Sequence, residues 1–106
     1  MDDILAQLPP ATVKILAFMP VHIAAQPWPG TEDAVDEWEC KQAVAAIGRK
    51  HDATVIDMRI TSPLTFKDEN FWDRLHTRAE IGRTVSETIA DAALRGVEAD
   101  SYRLLR

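Results

Sequence analysis

Cysteine is almost absent. Cys40 is the only one in 106 residues, so no disulfide can form within the chain, and a reducing compartment suits it. Basic charge is in deficit: 12 Lys and Arg stand against 17 Asp and Glu, a formal net charge of -5. No Lys/Arg cluster carries interleaved aromatics, which argues against a nucleic-acid partner or a phosphate-binding surface. Long apolar runs are missing too. The longest, near Ile15 to Met19, is far too short to span a bilayer. The acidic start, Met1 to Leu5, has neither the basic region nor the apolar core of a signal peptide. Repeats and low-complexity tracts are lacking. What is present, 46% hydrophobic and 27% charged residues, reads as a soluble globular domain with a modest core. The expected compartment is the cytoplasm, with no membrane association and no cofactor or metal.

Punctuation and periodicity divide the chain. Asp2 to Leu8 is a short helical lead-in stopped by Pro9 and Pro10. Thr12 to Met19 is apolar on both parities after Lys14, the pattern of a strand covered on both faces in a parallel sheet. Pro20 to Gly30 is loop. Thr31 offers an N-cap, Glu32 and Asp33 put negative charge in a first helical turn, and the helix is expected to reach about Lys50 with Cys40, Ala43, Val44 and Ile47 as its buried stripe. Trp38 falls off that stripe beside Ala34 and Ala45, a second apolar surface expected to pack under Pro27-Trp28-Pro29 or against another protein.

Thr54 to Ile60 reads as a second strand, with Ile56, Met58 and Ile60 on one face and Val55, Asp57 and Arg59 on the other. Strand, helix and strand of these lengths form a βαβ unit, which makes the strands parallel. Thr61 to Trp72 is expected as loop. Arg78 to Arg95 is a second helix with the stripe Ile81, Val85, Ile89 and Ala92, an Arg83–Glu87 pair on its solvated face, and Gly96 just past its end. For Ser101 to Arg106, a short strand and no regular structure both stay open.

The most informative segment is Asn70 to His76. It sets Asp73 three residues before His76, just ahead of the second long helix. One short turn can hold both side chains on the same side, so a carboxylate can orient an imidazole without long-range folding. Asp-x-x-His before a closing helix, preceded by the Ala53 to Thr65 segment and by Phe71 and Trp72, resembles the last motif of the SGNH (GDSL-type) esterase superfamily. The similarity spans roughly residues 10 to 95 and corresponds to the C-terminal half of such a domain. It implies a flavodoxin-like three-layer arrangement, an ester substrate, and catalytic roles for His76 as general base and Asp73 as its orienting carboxylate. The family's Gly-Asp-Ser nucleophile motif and its Gly-x-Asn-Asp oxyanion motif do not occur here.

Other residues have plainer readings. Asp73 is also a natural turn residue before a helix, and His76 a capping or exposed one. Asp57 is expected to pair with Arg59 or a backbone group. Phe71 and Trp72 are expected to be core or wall residues that fix the loop, Cys40 to be a buried small apolar residue, and His22 to be structural. A metal shared by His22 and His76 lacks a third ligand of fixed spacing. Among the serines, Ser62 precedes a proline on a plain loop, Ser86 is mid-helix and Ser101 lies in the tail. None has donors placed for an oxyanion.

The expectation is therefore a single, incomplete α/β domain over residues 1–106, with flanking helices on a short parallel sheet that needs neighbours. The first strand's outer edge is unpaired and carries Lys14 as its only charge, which calls for a homo-oligomer, a missing N-terminal half or a partner chain. The functional expectation is the acid–base half of an esterase site, inactive alone. The alternative is a non-catalytic interaction module using the strand edge and the Trp38 surface.

Overall fold

The two long helices form where the chain supplies their caps. In the computed structural model, which describes residues 1–106, Thr31 accepts the Ala34 N–H at 3.2 Å and opens α2 (Glu32–His51). Acidic Glu32 and Asp33 lie in its first turn and Arg49, Lys50 and His51 in its last, each complementing the helix dipole. The long C-terminal helix, Ala79–Arg95, ends at Gly96, whose φ of 67° lies in the left-handed region and whose N–H reaches Ala92 O. The remaining elements are α1 (Asp2–Ala6), β1 (Ile15–Phe18), β2 (Thr54–Asp57), α3 (Pro63–Phe66) and β3 (Arg103–Leu104); the helix after α3 is α4.

Strand order is β1-β2-β3. β1 and β2 are parallel, with Leu16 beside Val55 and Phe18 beside Asp57, as the βαβ reading requires. β3 is antiparallel to β2, pairing Ile56 with Leu104 and Asp57 with Arg103. The sheet is thus mixed, which corrects the expectation of a parallel one. The reason lies in the tail: a turn closed by the Ala99–Tyr102 bridge, and tied by the Tyr102 hydroxyl donating to Val97 O at 2.5 Å, reverses the chain before it reaches β2.

The core sits between β2, β3 and α4. Ile56 and Met58 pack with Val85, Ala92, Tyr102 and Leu104, flanked by Ile81 and Ile89, so the periodic stripe of α4 is the buried one. The Arg83–Glu87 pair does not form; the ion pair on α4 is Arg95 with Asp91 at 2.8 Å. On the other side of β2, α2 buries Lys41, Ala45 and Gly48 rather than the expected stripe. Cys40 and Ala43 are exposed. The helix turns this face inward because small residues let it approach β2 and because Lys41 has a buried partner: its Nζ lies 2.9 Å from Asp57 Oδ2 and donates to Arg59 O at 2.7 Å.

Trp38 is 62% exposed and Trp28 is 81% exposed, so neither packs under the other's segment. Expectation also fails for β1. It is shorter than Thr12 to Met19, and only Leu16 and Phe18 are half-buried, on the α2 side. Val13, Ile15, Ala17 and Met19 are exposed, because the face that α4 covers on β2 and β3 is left open on β1. The region after β2 is more ordered than a plain loop. Ser62 caps α3, reciprocating with Thr65, and a single turn of 3₁₀ helix follows at Asp68–Asn70.

Candidate functional site

Local backbone bonds build the turn that carries Asp73 and His76. Phe71 bridges Thr77, the Trp72 N–H donates to His76 O at 2.9 Å, and the Arg78 N–H donates to Asn70 O at 2.9 Å. At the apex, Asp73 Oδ1 accepts the Leu75 N–H at 2.7 Å and the His76 N–H at 2.9 Å, an Asx-type turn. The same carboxylate reaches the imidazole: His76 Nδ1 lies 2.9 Å from both Asp73 oxygens. The turn and orienting roles coexist in one side chain. These bonds hold the Asp73 carboxyl below the usual carboxylate range, the Leu75 N–H contributing most and the His76 ring next.

Nδ1–H donating to Asp73 leaves His76 Nε2 as the lone-pair nitrogen, free of any protein partner, which is the tautomer a general base needs. The pair is open to solvent: His76 is 72% and Asp73 59% exposed at the side chain. A shallow depression of about 240 Å³ lies beside it, walled by His22, Asp68, Phe71, Trp72, Asp73 and Arg74, and His76 is not part of that wall. A larger hollow of about 390 Å³, with Arg49, Asp52 and Arg106, is formed around Thr54 at the start of β2 and lies away from the pair.

His22 has a different role. Its Nδ1 accepts the Ala24 N–H at 3.0 Å and its Nε2 donates to Asp68 Oδ1 at 2.6 Å, while its ring meets Phe71 edge-on at 5.4 Å. Both ring nitrogens are committed, so His22 clasps the loop after β1 to the loop after β2. The His22 N–H donating to Arg74 O at 2.9 Å reinforces the clasp. No group of His, Cys, Asp and Glu is arranged to hold a metal ion. Asp68, 46 residues from His22, carries no local signal of this pairing.

Phe71 is buried as expected; Trp72 is not, and instead stacks on the Arg78 guanidinium, 4.1 Å from the ring centroid. Ser62 is buried, its hydroxyl bonded to the Thr65 N–H at 3.2 Å, so it presents no nucleophile. Asp57 accepts the Arg59 N–H at 3.0 Å, as anticipated, but its principal partner is Lys41. Beside them Glu37 Oε1 lies 2.5 Å from Arg59 Nε, a close charge contact whose angle leaves the buried Nε–H without an aligned acceptor. Glu37 and Arg59 floor a hollow of about 530 Å³ under Trp28 and the start of α2. Compared with protein-family models, curated proteins and solved structures, the chain matches none.

Proposed function

We propose that this chain contributes the acid–base half of a Ser-His-Asp ester-hydrolysing site of SGNH type. The observation that carries the reading is the Asp73–His76 pair, with Nδ1 held by the carboxylate and Nε2 left free. In such a site His76 Nε2 takes the proton of a serine hydroxyl as it attacks the ester carbonyl and returns it to the leaving alcohol. Asp73 holds the tautomer and stabilises the imidazolium. The nucleophile and the oxyanion donors come from residues outside 1–106, either a preceding segment or a partner chain, and the complete domain takes the flavodoxin-like three-layer form. The antiparallel β3 departs from an all-parallel sheet of that kind.

Residues 1–106 alone should show no turnover of a small aryl ester, because no donors receive the charge that develops on the carbonyl oxygen. The coding sequence upstream of Met1 is the direct test. An in-frame Gly-Asp-Ser motif is the expected finding, with activity of the longer product lost in His76→Ala. Fluorophosphonate labelling of a serine within residues 1–106, abolished by His76→Ala, sinks the reading.

A second reading has its own observation. The open face of β1, where Val13 is 81% and Ile15 39% exposed, favours a non-catalytic module that associates through this strand, with the exposed Trp38 as a further contact surface. Sedimentation equilibrium separates a monomer from an assembly.

A further inference from the structure

Edge strands are usually guarded by a charge, a proline or a bulge. Lys14, the only charged residue between Val13 and Met19, does not guard this one. Its Nζ donates to His51 O at the end of α2, 3.3 Å away. Lys14 O and Phe18 O accept the N–H groups of Thr54 and Met58. Even-numbered residues therefore turn their peptide groups toward β2, and alternation along the strand turns those of Ile15 and Ala17 outward.

We propose that the occupant of this edge is β1 of a second copy, antiparallel about a two-fold axis at Leu16, joining two three-stranded sheets into one of six strands. The proposal deepens the association reading and rests on it. In this register Ile15 lies opposite Ala17 of the second copy and Ala17 opposite Ile15, so all the outward N–H and C=O groups of both residues are bonded in both copies. On the open face the opposed pairs are Val13 with Met19 and Ile15 with Ala17, an unbroken apolar stripe. On the α2 face Leu16 meets its own copy, and Lys14 faces Phe18 instead of another Lys14, so no like charges oppose one another. Centring the axis on Ala17 leaves only one hydrogen-bonded pair inside the strands, and centring it on Ile15 does the same. A two-fold contact of this kind is self-complementary and closes at two copies.

The test separates association from register. Sedimentation equilibrium of the chain between about 1 and 100 µM should show a dimer. Ala17→Pro removes only an outward N–H and none from the β1–β2 ladder, so it should yield a monomer with an unchanged far-ultraviolet spectrum. In a Cys40→Ser background, Leu16→Cys should cross-link on mild oxidation at least about tenfold faster than Ile15→Cys or Ala17→Cys. Opposed residues of a non-hydrogen-bonded antiparallel pair have Cα atoms about 4.5 Å apart, within disulfide range. A folded monomer throughout overturns both the association reading and this arrangement. A dimer that survives Ala17→Pro, or that cross-links best at another position, overturns this arrangement alone.

Discussion

Gly48→Ala sets two effects against each other inside α2. Helix propensity favours alanine by about 0.8–1.0 kcal/mol in a helix interior. Packing opposes it. A Cβ at position 48 stands 2.4 Å from Val55 Cγ2, where carbon atoms need about 3.5–4.0 Å, and 3.4 Å from Ala53 O. Relief requires α2 to withdraw from β2 by roughly 1–1.5 Å, or Val55 to leave its rotamer. Val55 is β-branched, stiff at χ1 and buried on the central strand, so it does not turn freely. Overpacking of this kind costs about 1–3 kcal/mol. Subtracting the propensity gain leaves a net loss of about 0–2 kcal/mol, a fall in Tm of up to about 10 °C for a domain of this size. Urea unfolding followed by circular dichroism should show a lower midpoint with the slope unchanged. In a Val55→Ala background the clash is gone, and Gly48→Ala should become neutral or stabilising by up to about 1 kcal/mol. A higher midpoint for Gly48→Ala in the native background would show that helix propensity dominates and that α2 does not lie this close to β2.

Three further outcomes follow from the charges and the thiol. Lys41→Met removes the partner of buried Asp57 and should cost about 3–5 kcal/mol, whereas Lys41→Met combined with Asp57→Leu should recover much of it; equal losses would mean the pair is not what orients α2. The folded-state pKa values of Asp73 and Asp2 are depressed, the latter chiefly by His51 and then Lys50. Their stabilisation is therefore fully present above the ordinary carboxylate range and lost as pH falls below it, and Asp73→Asn should reduce the acid-side loss seen in melts from pH 6 to 2. Cys40 is exposed, so one thiol should react with a disulfide reagent at the native-state rate, without denaturant; a thiol that reacts only after unfolding would place Cys40 in the buried stripe after all.

Much of the local structure was legible in the residues themselves. The Thr31 cap, the Gly96 terminus and the α4 stripe of Ile81, Val85, Ile89 and Ala92 are encoded within a few residues, and so is the Asp73–His76 contact, because an Asx-type turn brings i and i+3 together without help from the rest of the chain. The inward face of α2 was not legible. Its apolar residues are spread around the helix, and the choice among faces was made by Asp57 and Val55 on β2: one offers Lys41 a carboxylate, the other leaves room only for a glycine at position 48. Periodicity sees apolar spacing, not a charge whose partner lies 16 residues away. The same limit applies to His22 and Asp68, to the reversal that makes β3 antiparallel, and to the uncovered face of β1. An apolar run states that a strand prefers burial, but which faces are covered depends on where α4 comes to rest, and that is settled only when the layers pack.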